Sequence, residues 1–183
     1  MNFLTRHRLY GLGFAVLVFA IDRLVKWTLL GPLQLREKGE IYVLPIFQFT
    51  WTQNFGVSLG MLPATSTEMR FILVGVTAAI ALIVLVWMMR ESKLWDIFAL
   101  ALILGGAAGN ILDRFLFGYV VDYADLHFGE WRPFLVFNVA DAAITFGVLI
   151  ILARTLFLRE KRPDASDAGS EPAPEPEKAA ETN

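Results

Sequence analysis

Phe71 to Met89 runs nineteen residues without a charged side chain. At ~1.5 Å rise per residue, a helix of that length crosses the hydrocarbon core of a bilayer. Such a helix is apolar on every side, so in water it has no face to turn outward. With 183 residues the chain is too short to bury it inside a large soluble core. Composition agrees: 56% of residues are hydrophobic and 19% charged, against about 45–50% and 25% in soluble domains. The excess lies in discrete runs. The chain therefore reads as a mainly α membrane protein with four transmembrane helices, at about 9–30, 71–89, 95–113 and 133–154. A single membrane-embedded domain is expected over 1–159.

The first run resembles a secretory signal, with Arg6 and Arg8 ahead of apolar residues and small-residue spacing at Val18-Phe19-Ala20. Apolar character resumes beyond Asp22-Arg23, so this run is read as an uncleaved span. Gly31-Pro32 stops it. Phe47 to Thr52 then alternates apolar and polar at period two, the pattern of a half-buried strand with Phe47, Phe49 and Trp51 on one face. A small β-sheet over about 34–60 is expected on the outer side. Gly105, Gly106 and Gly109 give the third span a small-residue face for close helix packing. Tyr123 to Phe134 mixes aromatics with charged residues and reads as an interfacial segment, a candidate lid, with His127 as an interfacial residue rather than a general base. Residues 160–183 carry seven acids and three bases with repeated Pro and Ala, the composition of a disordered tail.

Four spans place both termini on one side. Arg6, Arg8, Arg90, Lys93, Arg154, Arg159, Lys161 and Arg162 fall on that side; Arg36, Lys38, Arg70, Arg114 and Arg132 fall on the other. Basic residues favour the cytoplasm, so the termini are expected there. Asp22, Asn110, Asp113 and Arg114 then lie at outer helix ends, and Asp122 lies in the outer connection. Asp141 comes ~12 Å below Pro133, counted at 1.5 Å per residue. Separate spans thus converge on one leaflet.

The chemistry available there is narrow. There is no cysteine, which excludes disulfides and thiolate chemistry. His7 and His127 are the only histidines and no HExxH occurs, so zinc hydrolysis has no support. A net charge of −2 gives no reason to expect a nucleic-acid partner. What remains is carboxylates. Asp122 follows Val-Val and Asp141 follows Val-Ala, each without an adjacent base, and such a pair can share one proton for general acid–base work. Asn110 and Arg114, four apart, share a helical face that suits substrate carbonyls, and Asn138 lies three before Asp141. Asp22 and Lys26, also four apart, can pair. An alternative is a small transporter or channel using Asp22, Asp122 and Asp141 as a proton or cation path. Against it, the second span is wholly apolar and no internal repeat is visible. The bland reading is a helix bundle linked by buried polar groups.

DxxxK at Asp22–Lys26, NxGxS at Asn54–Ser58, GNxxDR at Gly109–Arg114, GxVVDY at Gly118–Tyr123 and FNxAD at Phe137–Asp141 follow in order. The set resembles the lipoprotein signal peptidases (signal peptidase II), membrane-embedded aspartic peptidases of bacteria. The resemblance implies a catalytic pair at Asp122 and Asp141. It implies substrate contacts at Asn54, Gly56, Asn110, Arg114 and Asn138, and structural support from Asp22, Lys26 and Asp113. It implies no cofactor and no metal. The implied substrates are diacylglyceryl-modified prolipoproteins, cut before the lipidated cysteine. The implied setting is a monomer among lipids of the inner membrane, its active site on the periplasmic side and both termini cytoplasmic. Ser58-Leu59 departs from the Ala-Phe of many members.

Overall fold

A computed structural model describes residues 6–56 and 67–157. The elements run α1 (Arg6–Leu30), α2 (Leu35–Lys38), β1 (Glu40–Leu44), β2 (Phe47–Asn54), α3 (Thr67–Arg90), α4 (Leu94–Phe117), β3 (Val120–Leu126) and α5 (Val139–Phe157). The expected tail at 160–183 and the Ser58-Leu59 departure lie outside the described residues. Among the described residues, α3, α4 and α5 are long and apolar enough to cross a membrane. Helix α1 is as long, but Asp22, Arg23 and Lys26 interrupt its hydropathy. Asp22 and Lys26 turn inward and are buried, while Leu17, Leu24 and Trp27 remain exposed. That inside-out pattern suits a helix whose outer face meets lipid rather than water.

Helix α4 is the centre of the bundle, packed on α1, α3 and α5. Its glycine face is the cause. A Cβ at Gly105 would lie 2.5 Å from the Ala15 carbonyl of α1, and one at Gly109 would lie 2.6 Å from Asp22 Oδ2. At Gly106 the obstacle is the Ala140 carbonyl of α5. Helices approach this closely only where no side chain intervenes. Gly109→Ala is therefore expected to lower the melting temperature in detergent, by an overpacking cost of about 1–3 kcal/mol. An unchanged melt would place Asp22 further from α4.

Two apolar clusters hold the ends of the bundle. Ala15, Val84, Met88, Ile97, Leu100 and Ala101 join α1, α3 and α4. Leu29, Leu35, Val121, Tyr123 and Ala124 form the second, against which Phe47, Phe49 and Trp51 pack as their alternation predicts. The sheet is antiparallel in the order β1-β2-β3, with a register shift between Phe49 and Thr52. Beyond it Thr52 faces Asp122 and Asn54 faces Val120. Gly118, at φ 87°, adopts the left-handed conformation and caps α4 by donating its N–H to the Arg114 carbonyl. The chain then reverses straight into β3.

Asp122 lies in the connection between α4 and α5, and that part of the connection is a strand, because Val120–Leu126 pairs with β2. One expectation needs correction. The final helix begins at Val139, not at Pro133, because Phe137 exchanges backbone hydrogen bonds with Ala124. Asp141 therefore stands in the first turn of α5, not two turns into it. His127 is buried beside Tyr42.

Candidate active site

Asn138 is the residue on which the site is built. Its side-chain Oδ1 accepts the N–H of Asp141 at 2.9 Å, and Asp141 Oδ2 accepts the N–H of Asn138 at 3.2 Å. This is a reciprocal capping box with Asn as N-cap and Asp three residues on. It fixes Asp141 at the positive end of the α5 dipole, a favourable place for a carboxylate. The Asn138 amide nitrogen also donates to Asp122 Oδ1 at 2.6 Å and contacts Asn110 Oδ1 at 3.3 Å. One fully buried residue thus joins both aspartates, Asp122 through its side chain and the Asp141 carboxylate through its backbone N–H.

Each carboxylate has a second amide. Asn54, at the end of β2, donates to Asp122 Oδ2 at 3.0 Å, and Asn110 of α4 donates to Asp141 Oδ1 at 2.7 Å. Gly56 donates its N–H to Asn54 Oδ1 at 3.1 Å and accepts Arg114 Nη2 at its carbonyl at 2.7 Å. The residues expected to hold substrate are therefore gathered, and several of them already orient the two aspartates. Burial, and then the nearby Asp141 charge, push the Asp122 carboxyl up to about 7. Within β3 it sits where a carboxylic acid keeps its proton near neutrality.

Beneath this layer lies a buried ionic group. Lys26 Nζ reaches Asp22 Oδ2 at 3.0 Å and Asp113 Oδ2 at 2.7 Å. Asp22 and Lys26 pair as their spacing predicts. Asp113 turns to Lys26 rather than to its neighbour Arg114. Sequence reasoning missed three contributors. Arg23 joins the same ionic group, although its place next to Asp22 gives no helical signal of a shared face. Tyr123 accepts the Val139 N–H at 3.2 Å, and Arg70 donates to the Arg114 carbonyl at 2.8 Å and to that of Phe115. These three bonds tie helix ends that no local pattern connects. Elsewhere on the sheet, Asp125 is held by Gln48, Thr50 and Arg132.

The carboxylates open onto a cavity of about 710 Å³ whose remaining wall is largely apolar, including Phe55, Phe134, Leu135, Phe137 and Phe146. Phe146 also lies on the exposed face of α5. The cavity is large enough for a lipid-bearing or extended apolar ligand. Fold and site together define a membrane protein whose polar chemistry is concentrated at one end of a helical bundle.

The sequence family described as signal peptidase (SPase) II matches residues 14–157, and this chain belongs to it. A lipoprotein signal peptidase of Sphingopyxis alaskensis is 50% identical over 164 residues, covering 90% of this chain and 93% of that protein. One from an Acinetobacter baumannii strain is 34% identical, covering 88% and 92%. A solved bacterial membrane enzyme structure, obtained by the in meso method at 2.3 Å, superposes with a TM-score of 0.69 at 26% identity, covering 85% of this chain and 94% of that one.

Proposed function

We propose that this protein is a membrane aspartic endopeptidase that removes the signal peptide from diacylglyceryl-modified prolipoproteins, cutting before the lipidated cysteine. The observation that carries the reading is Asn138, bonded to both Asp122 and Asp141. Asp122 holds the shared proton and donates it toward the scissile carbonyl oxygen. Asp141, at the α5 N-terminus, takes a proton from water as the water oxygen bonds to the carbonyl carbon. Collapse of the tetrahedral species breaks the C–N bond. The proton on Asp141 goes to the leaving nitrogen, and the hydroxyl formed from the carbonyl oxygen returns its proton to Asp122. No covalent enzyme intermediate forms.

The apolar cavity receives the acyl chains and the residues flanking the cut, so partition into the bilayer contributes to substrate binding. In this reading α1 is a fourth span, its inward charges balanced within the bundle, and both termini face the cytoplasm. The sheet and the exposed Phe128, Trp131 and Phe134 lie at the periplasmic surface of the inner membrane among lipid headgroups. The protein acts as a monomer, with residues 1–159 as one peptidase domain, and Gly56 with Arg114 forms part of the substrate cradle. A transporter reading gains nothing from α3, which carries no charged residue from Phe71 to Met89. Proteoliposomes test both readings together: cleavage of a lipidated prolipoprotein without proton flux is expected, and flux without cleavage would reverse the choice.

Two further outcomes follow from this chemistry. Because Asp122 must hold a proton, kcat/KM should fall as pH rises through about 7. A rate flat from pH 6 to 9 would deny Asp122 the role of acid. Arg114→Ala removes the bond to the Gly56 carbonyl and frees the Asn54–Phe55–Gly56 turn. A charge-assisted bond contributes ~1.5–3 kcal/mol, so cleavage should fall about tenfold to a hundredfold with little change in melting temperature. Native-rate cleavage by that variant would remove Arg114 from the cradle.

A further inference from the structure

The ionic group beneath the carboxylates contains a residue, Arg23, that stands at an unspecified position of the DxxxK motif. Asp22 and Asp113 are 0% exposed, and Lys26 supplies one positive charge for the two. Arg23 supplies the other. Its Nη2 lies 2.8 Å from Asp22 Oδ2 and 2.7 Å from Asp113 Oδ1, the latter an ion-pair contact without hydrogen-bond alignment. The same nitrogen is 3.4 Å from the Gly109 carbonyl, and the guanidinium lies over the Phe19 ring at 6.0 Å. A side chain on a lipid-facing helix has been drawn inward, with 22% of it exposed.

What the two acids do next gives Arg23 its consequence. Asp22 Oδ1 accepts the N–H of Ala140 at 3.2 Å, one residue before Asp141. Asp113 Oδ2 accepts the N–H of Val121 at 3.2 Å, one residue before Asp122. Each supporting acid thus holds the backbone beside one member of the pair, and the two bases hold the acids together. The charges of Asp22, Asp113, Arg23 and Lys26 sum to zero. Arg114 likewise faces a pair carrying one negative charge.

We propose that Arg23 is a positioning residue for the peptidase reaction: by bridging Asp22 and Asp113 it fixes the backbone at Ala140 and Val121, and so sets how Asp122 and Asp141 face each other. This rests on the reading of Asp122 and Asp141 as the catalytic pair. Without Arg23, one negative charge is left uncompensated beneath that pair, which disfavours its charged form. The two tethers also loosen.

The test compares wild type, Arg23→Gln and Arg23→Lys at matched folded protein in lipid nanodiscs, with a diacylglyceryl-modified prolipoprotein peptide as substrate. For Arg23→Gln, kcat should fall about tenfold to a hundredfold, as expected for misplaced reacting groups, while KM stays within about twofold. The pH optimum should move upward. Arg23→Lys keeps the charge and should restore both kcat and optimum. A fall in kcat without a displaced optimum, or one that Lys fails to restore, overturns the proposal. If Arg23→Gln does not fold, a displaced optimum in Arg23→Lys overturns it and a native optimum supports it. A wild type that does not cleave would instead refute the peptidase reading itself.

Discussion

Asp122→Asn and Asp141→Asn are each expected to abolish cleavage, with losses of roughly 10²- to 10⁴-fold or more, the contribution of positioned acid–base groups. Asparagine retains the shape and accepts one of the two N–H bonds made to each aspartate through its single carbonyl oxygen, but it cannot exchange a proton. The double variant should be scarcely worse than either single one, because groups that pass one proton between them act as a unit. Asp22→Asn and Asp113→Asn are the controls. Their carboxylates face Lys26 and Arg23 rather than the cavity, so some turnover should survive in the folded fraction. The comparison is made by substrate cleavage at equal amounts of folded protein.

Lys26→Met is expected to have the largest effect on stability. Lys26 is 3% exposed, and its ammonium group touches two carboxylates that are wholly buried. Breaking a buried ion pair from one side costs about 3–5 kcal/mol, because the partner charge is left behind. That is a large share of the ~5–15 kcal/mol by which a typical domain is stable. The variant should accumulate poorly and melt well below wild type in detergent. Adding Asp113→Asn should recover part of the loss, since Arg23 then faces a single remaining acid. A Lys26→Met protein that melts like wild type would mean that the cluster is hydrated and contributes little.

Much of this site is legible in the sequence because its parts are local. The N-x-x-D spacing of Asn138 and Asp141 brings the two together, although the capping box they form appears only in the structure; the D-x-x-x-K spacing of Asp22 and Lys26 is a helical pair, and the glycines of α4 mark its packing face. The strand β2 is legible from its alternation. What escapes is what depends on distant partners. β3 has no alternation to betray it, since Val120 to Ala124 are all buried; it becomes a strand by pairing with β2. The segment 133–138 is apolar enough to pass for the start of a span, and only the bridge between Phe137 and Ala124 holds it extended. Arg23 is hidden for another reason. Its neighbour Asp22 points into the bundle, and the guanidinium reaches the same acids only through a long flexible stem.

The central claim is that Asp122 and Asp141 cut a prolipoprotein immediately before its lipidated cysteine. The most direct measurement incubates the purified protein with a diacylglyceryl-modified prolipoprotein in the presence of a metal chelator and identifies the products by mass spectrometry. The account predicts two fragments, a free signal peptide and a chain beginning at the lipidated cysteine, formed by wild type and not by Asp122→Asn or Asp141→Asn. Intact substrate with wild type, a cut at another bond, cleavage that returns only when zinc is restored, or equal cleavage by either asparagine variant would contradict it.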